Sequence, residues 1–593
     1  MYPGRVAAAD VMRDGERVRR FLEEIQGAPF IALDTETSGL DPHTDRLLLV
    51  QFGTADRQAL VDAQAVGPEA LAPVFDPERV VVMHNASFDI KMLQHHYGDG
   101  LGLPRARIAD TLSAEQLLRN GRKSDVVMQG FSLKALAERY ASMELDKTVR
   151  QGFYGIETLT DLSDAELFYA ERDVEATWKV FASQLPELER EGLLRAAALE
   201  GRAQAAFAQL ELAGFPIDVE AWKTLLDDAR AQSGEARRDL DRHFWDVADR
   251  DLFGGTTLNY DSDEEVVDAL GRLGLEVGSA RIEVLRATGH PAALALAAYR
   301  EHQKLVRAYG EGFLGHVHPR TGRLHPRFKA GSASTGRASC SDPNLQSIPA
   351  GSRFRACFRP GPGRRLITAD YRGAELRIIA DRSGEPFFRA ALGRDEDLHA
   401  LVASRLFGRP VSKTENPQLR ARAKAINFGL AYGMGAQGLA NQLGCRLPEA
   451  ERLLEAYFAA FPRVRGYLQS TAREGLERGW VASGSGRRFW LTDMRREGRD
   501  EGALRRVAKN MPIQGTNADI IKMAMARIVQ AFHDRGLDAR LVNMVHDELV
   551  VEASEGDAEA ARQVMVDEMV AAGSELVRTV PMSVETRVAE AWG

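Results

Sequence analysis

Three apolar runs that read as β-rich, FIALDTET, RLLLVQFG and RVVVMHN, punctuate the first 90 residues, and each is short enough to be a strand. Between and after them, apolar positions recur every three or four residues in DIKMLQHHY, LSAEQLLRN, LKALAERY and DAELFYAERDVEATWKVF, which predicts helices. The first 190 or so residues therefore read as one α/β domain. From about Gly192 to His302 the pattern turns almost purely helical and rich in Ala, Leu, Glu and Arg, broken by FGGTTLNYDS and by the glycines of LGRLGLEVG. This reads as a long helical arm. After a Gly, Ser and Pro-rich passage from Gly331 to Gly363, RRLITADY is a strand ending in an acid, and helices continue to about Asp500. RLVNMVHDELVVEA then reads as two strands meeting at His546-Asp547. No repeat or low-complexity tail appears.

Length changes this picture only by adding scale: 593 residues exceed one core and predict three to five domains. The apolar fraction of 44% and charged fraction of 27% are those of a globular protein, and no stretch approaches a membrane span. The N-terminus lacks an apolar signal core and carries Asp10, Asp14 and Glu16, so a cytoplasmic protein is expected. Cys340, Cys357 and Cys445 form no CxxC pair, which points to reduced thiols rather than a zinc site or secreted scaffold. The net charge of −8 hides a local excess: between His318 and Arg365 ten Lys and Arg residues stand against the single acid Asp342. That run fits phosphate binding or a solvated surface.

Asp34 and Glu36 lie two apart at a strand end, so the two-residue period turns both carboxylates to one face. Asn85 and Asp89, and Tyr169 and Asp173, each lie four apart and are expected to share a helical face. Converging acids repel by about 1 kcal/mol per pair at 4 Å in water and by about 4 kcal/mol near a protein surface. Divalent metal relieves that repulsion, and oxygen ligands suit Mg²⁺ or Mn²⁺. In this order and spacing DTET, NASFD and YAERD resemble the three motifs of DEDDy proofreading exonucleases, whose domain is ribonuclease H-like. The resemblance implies Asp34, Glu36, Asp89 and Asp173 as metal-organising carboxylates and Tyr169 as a residue orienting the attacking water. Asp110 fits a further acid of such domains and equally a helix cap.

Asp370 closes the strand LITAD, and Asp547 sits 177 positions later at the turn of MVHDEL. Between them, Arg420, Lys424, Phe428 and Tyr432 recur every four residues and fill one stripe of about 120° on a helix. Cations followed by aromatics suit a nucleoside triphosphate, which offers phosphates to neutralise and rings to stack on. DYRGAELR, RARAKAINFGLAYG and VHDE resemble motifs A, B and C of family A DNA polymerases, and TGRASCSDPNLQSIP and KNMPIQGTNADIIK resemble two further segments of that family. The likeness runs from about residue 28 to the end.

It implies a multidomain α/β and α+β protein: a ribonuclease H-like exonuclease domain over 1–190 and a right-hand polymerase over 191–593. Within the latter, about 220–330 would be mainly thumb, 331–380 and 510–593 mainly palm, and 381–509 mainly fingers. Asp370, Asp547 and the Tyr371 carbonyl would hold two Mg²⁺ ions, Mn²⁺ being an alternative, and the exonuclease acids a second pair. Arg420 and Lys424 would grip the triphosphate, Lys424 also serving catalysis. Glu375, Tyr432, Phe428 and His399 complete the expected nucleotide site, with Glu375 excluding a ribose 2′ hydroxyl. Arg337, Asn344, Gln346, Arg506, Asn510, Gln514 and His546 fit positions contacting primer and template, where minor-groove acceptors are alike for every correct pair. Glu548 is a supporting acid.

Motif A of the family commonly reads Asp-Tyr-Ser-Gln-Ile-Glu; here Arg372, Gly373 and Ala374 stand in the middle, which puts fidelity and template tolerance in question. GMGAQG satisfies GxGxxG but follows a helix, not a strand, so it is no dinucleotide site. With about thirty residues ahead of DTET, the chain is similar to the large fragment of polymerases I, without a 5′ nuclease. No processivity insertion is evident, and a monomer is expected. The expected partners are primer-template DNA and deoxynucleoside triphosphates. A noncatalytic accessory subunit, an enzyme preferring RNA or ribonucleotides, and a nuclease whose second half only positions DNA are the competing readings.

Overall fold

The computed structural model describes residues 10–122, 130–250, 256–331, 333–431 and 433–593. The three β-rich runs near the N-terminus become the centre of a five-stranded sheet ordered Gln58–Asp62, Leu47–Gly53, Ile31–Thr37, Val80–Met83, Arg107–Asp110. The first three strands are antiparallel and the last two join parallel, their crossovers filled by the Ala86–Tyr97 helix and neighbouring turns. Every residue of Leu47–Gly53 is buried, which explains why that run is apolar save for Gln51 rather than alternating. Helix Asp164–Arg190, opened by a capping box in which Ser163 and Glu166 serve each other, packs on this sheet and carries Tyr169 and Asp173 to it.

A second sheet is fully antiparallel, in the order Ala539–Val545, Glu548–Ser554, Arg364–Tyr371, Val584–Ala589. Its register sets Asp370 opposite Glu548 on one neighbour and Glu585 on the other. The long helix Glu501–Arg535 and helix Ala558–Leu576 pack together on it, the former buried almost continuously from Met511 to Lys522.

Both sheets belong to one compact unit, 1–214, 326–346 and 362–589. The arm expected from Gly192 is therefore divided: helix Leu194–Ala213 lies within this unit, and a Cβ on Gly201 would come 1.9 Å from the Ile108 carbonyl of the first sheet, so only glycine permits that approach. Glu200 on the same helix is buried in an ionic cluster. Its Oε1 accepts from Lys522 Nζ at 2.5 Å and from Arg487, whose Nε donates to Asp519 Oδ1 at 3.1 Å. Desolvation pulls Lys522 down to about 8 despite Glu200, while Lys522 and Arg487 outweigh burial and hold Glu200 below its ordinary value.

The second unit comprises 215–325, 347–361 and 590–593. Its helices Val219–His243 and Pro291–Tyr309 pack along one another, and Trp222 stacks on Phe313 with centroids 4.4 Å apart. Trp592 meets Phe358 and Phe215 there, tying the last residues of the chain into this core. Among the described residues no helix is long and apolar enough to cross a membrane, and the three cysteines are unpaired.

Candidate functional site

Two clefts gather the acids. In the first, of about 600 Å³, Asp34, Glu36, Asp89, Tyr169 and Asp173 line one space together with His84, Lys147 and Arg150. Ligand oxygens of Asp34, Glu36 and Asp173 lie within 4.8 Å of one another. Burial, then the Asp173 charge, raises Asp34 to about 6; burial with Asp34 beside them pushes Glu36 and Asp89 well above their ordinary values. An all-oxygen set crowded enough to resist ionising fits a hard divalent cation. Thr35 Oγ1 donates to Asp89 Oδ1 at 2.7 Å and fixes that carboxylate.

Asn85 differs from expectation. It precedes the helix in a left-handed conformation, φ 64°, and only Asp89 sits in the first turn. Its backbone N–H donates to Asp110 Oδ1 at 3.0 Å, and Asp110 also accepts from the Leu112 N–H and the Ser113 hydroxyl. Asp110 is thus the cap of helix Thr111–Arg119. Lys147 was not legible in the sequence: its Nζ donates to the Tyr169 hydroxyl at 2.8 Å and to Asp173 Oδ2 at 3.0 Å. Its stretch, LDKTVRQGF, has no periodicity that would mark it. Burial, then Asp173, keeps the Tyr169 phenol protonated far into the alkaline range.

The second cleft, about 610 Å³, is lined by Asp370, Tyr371, Glu375, His399, Arg420, Lys424, Phe428, His546, Asp547 and Arg337, along with Arg372, Asp395, Lys413 and Glu585. Asp370 is the exposed penultimate residue of its strand, and Asp547 follows His546 in a tight hairpin turn where His546 adopts φ 57°. Partial desolvation followed by the Glu548 charge raises Asp370 to about 6; desolvation followed by Asp370 raises Asp547 to about 8. The Tyr371 hydroxyl donates into the core, to the Met569 carbonyl at 2.6 Å, so the phenol is committed to structure.

On the facing helix, Pro417–Ala431, Arg420 Nε donates to Asp397 Oδ2 at 2.7 Å, and Lys424 lies 5.7 Å from the Phe428 ring centre. His399 stands 5.4 Å from the same ring; burial lowers it to about 4, so it is neutral. Tyr432 lies outside the described residues. Of the residues expected at DNA, Arg337 Nη2 is paired with Glu375 Oε1 at 2.9 Å. Gln346 Nε2 donates to the Met544 carbonyl at 3.3 Å, and Asn344 Oδ1 accepts from the Gln346 N–H at 3.0 Å. Arg506, Asn510 and Gln514 follow at four-residue steps on the long helix; Asn510 Oδ1 and Gln514 Nε2 are buried without a hydrogen-bond partner among the described residues. GMGAQG follows a helix that ends at Ala431, with no strand before it.

Residues 253–593 match the family model of DNA polymerase family A, and residues 10–189 that of the 3′-5′ exonuclease. Over 98% of its length the chain is 33% identical to DNA polymerase I of Chloroflexus aurantiacus, covering 63% of that relative, and 31% identical to DNA polymerase I of Pseudomonas aeruginosa, covering 65%. The chain thus spans somewhat less than two thirds of the length of these relatives. A solved structure described as the POL domain of Pol1 from M. smegmatis in complex with DNA primer-template and dNTP superposes with a TM-score of 0.80 at 29% identity, over 98% of this chain and 99% of that one.

Proposed function

Starting from the fact that this chain belongs to DNA polymerase family A and carries a 3′-5′ exonuclease domain, we propose that it extends primers on a DNA template and removes misplaced 3′ nucleotides, in replication or repair. One observation carries this reading: the cleft that joins Asp370 and Asp547 also contains the Arg420, Lys424, Phe428 row, so acids for metal and cations for phosphate share one space.

Asp370, Asp547 and the Tyr371 carbonyl would hold Mg²⁺, or Mn²⁺, and Asp34, Glu36, Asp89 and Asp173 a second set. Bound there, such ions supply acidity to a hydroxyl or water and neutralise charge on the departing oxygen. The protein does the rest. Arg420 and Lys424 hold the triphosphate, Phe428 packs beneath the sugar, neutral His399 supports that ring, and Glu375 bars a 2′ hydroxyl. Arg506, Asn510, Gln514, Asn344, Gln346 and His546 bind the primer-template, an assignment favoured by Asn510 Oδ1 and Gln514 Nε2, which lack a partner among the described residues. In the other cleft Tyr169 orients water. The division into exonuclease (1–190), thumb, palm and fingers follows the family, as do a monomeric state and a cytoplasmic location. A labelled primer on DNA and on RNA templates, with Mg²⁺ and with or without deoxynucleotides, tests this: extension with nucleotides and shortening without them are expected, and absence of both refutes it.

A further inference from the structure

Arg372 occupies a position where the family commonly has serine, and neither the acids nor the phosphate-gripping helix accounts for it. The strand from Arg364 ends at Tyr371; Gly373 then adopts φ 65° and opens helix Ala374–Ser383, a turn that a side chain at 373 would strain. The turn leaves Arg372 about half exposed on the wall of the second cleft, two residues from Asp370. Its backbone is fixed at both ends, the N–H donating to the Ser583 carbonyl at 3.0 Å and its carbonyl accepting from Arg377 Nε at 2.9 Å. Its guanidinium is paired with Asp395, with Glu585 3.8 Å away.

That pairing is replaceable. Asp395 is already served by Arg377, whose Nη2 donates to Oδ1 at 2.9 Å and whose side chain is buried, so the Arg372 contact on Oδ2 is a second one. Asp395 and Glu585 are themselves exposed, and an exposed ion pair contributes little. A guanidinium on phosphate oxygens makes paired, charge-assisted hydrogen bonds that are stronger.

We infer that Arg372 is a nucleotide-positioning residue of this chain, swinging from Asp395 onto the triphosphate tail of an incoming nucleotide and joining Lys413, Arg420 and Lys424 of the same cleft. The inference rests on the polymerase reading. Calorimetric binding of a deoxynucleoside triphosphate with Mg²⁺ to the full chain, alongside steady-state primer extension, tests it in Arg372→Ala, Arg372→Lys and Asp395→Asn. Arg372→Ala should weaken binding and raise the nucleotide KM about tenfold with kcat within about twofold, as expected when a contact is made equally in ground and transition states. Arg372→Lys should recover part of that loss. Asp395→Asn should not raise KM, because it frees Arg372; a rise matching that of Arg372→Ala would mean that Arg372 only braces the turn and would overturn the inference. Unchanged binding and KM in Arg372→Ala would overturn it too, while extension by the unaltered chain preserves the polymerase reading. Binding without extension by the unaltered chain would sink that reading and leave the inference judged on the binding ratio; no binding at all would sink both.

Discussion

Arg337 Nη2 donates to Glu375 Oε1 at 2.9 Å, and the carboxylate it meets is almost wholly buried. Glu375 is therefore held in one position at the edge of the second cleft, in the helix that follows Asp370, rather than free to rotate. A fixed carboxylate beside a sugar excludes a hydroxyl more sharply than a mobile one, because an unmatched polar contact there cannot relax. Glu375→Ala should narrow the deoxyribonucleotide to ribonucleotide ratio of kcat/KM by about tenfold or more. Single-nucleotide incorporation assays read this directly, and an unchanged ratio would remove Glu375 from sugar selection.

The two clefts share no lining residue. Asp547→Asn should lower primer extension by at least about a hundredfold while single-strand 3′ digestion persists, and Asp34→Ala should do the reverse, since each removes one carboxylate charge from a separate set. Gel assays of both activities on each variant distinguish this from a shared site, in which either change would abolish both.

How much of this was open to the sequence follows from the range of each interaction. The buried Leu47–Gly53 strand, the Asp34-Glu36 pair and the Arg420 to Phe428 row are local patterns, and all are found where periodicity places them. The Val584–Ala589 strand escaped because it lies at the sheet edge with none of its residues buried, yet its register is what brings Glu585 beside Asp370. The short pairing of Trp480–Ala482 with Arg488–Trp490 was hidden among helices, although it delivers Arg487 to Glu200. Partners 38 positions apart, as Arg337 and Glu375, or 322 apart, as Glu200 and Lys522, leave no spacing signal at all.

That last pair yields a pH-dependent prediction. Lys522 faces Glu200, Arg487 and Asp519, and it titrates near 8 instead of 10.5. Between those values the unfolded chain binds a proton that the folded chain does not, so this group makes stability rise with pH across that window. Glu200, held below its ordinary 4.5, stabilises above that pH and loses its contribution as pH falls through the depressed value. Glu200→Gln leaves the buried Lys522 without its ion-pair partner and Arg487 with Asp519 alone, and should cost about 3–5 kcal/mol at pH 7. The loss should shrink as pH rises toward about 8, where Lys522 of the intact cluster sheds its proton. Amide hydrogen exchange along Glu501–Arg535 measures this; equal losses at neutral and alkaline pH would show that Lys522 does not carry the penalty.

In the exonuclease cleft, one ammonium serves two masters with opposite consequences. If Lys147 only neutralised Asp173, removing it would ease metal binding, so Lys147→Met would need less Mg²⁺ and keep its maximal rate. Its second contact argues otherwise: by donating to the Tyr169 oxygen at 2.8 Å, Lys147 leaves the phenolic hydrogen to point elsewhere in the cleft, where a nucleophilic water is oriented. On this account Lys147→Met and Tyr169→Phe should each lower the digestion kcat about a hundredfold, the low end of the range for a positioned proton donor. Added Mg²⁺ should not restore the rate, and primer extension should be unaffected. Digestion rates followed across a Mg²⁺ series separate the two accounts, because recovery of the Lys147→Met rate at any metal concentration belongs to simple charge neutralisation and persistence of the defect belongs to the orientation of Tyr169.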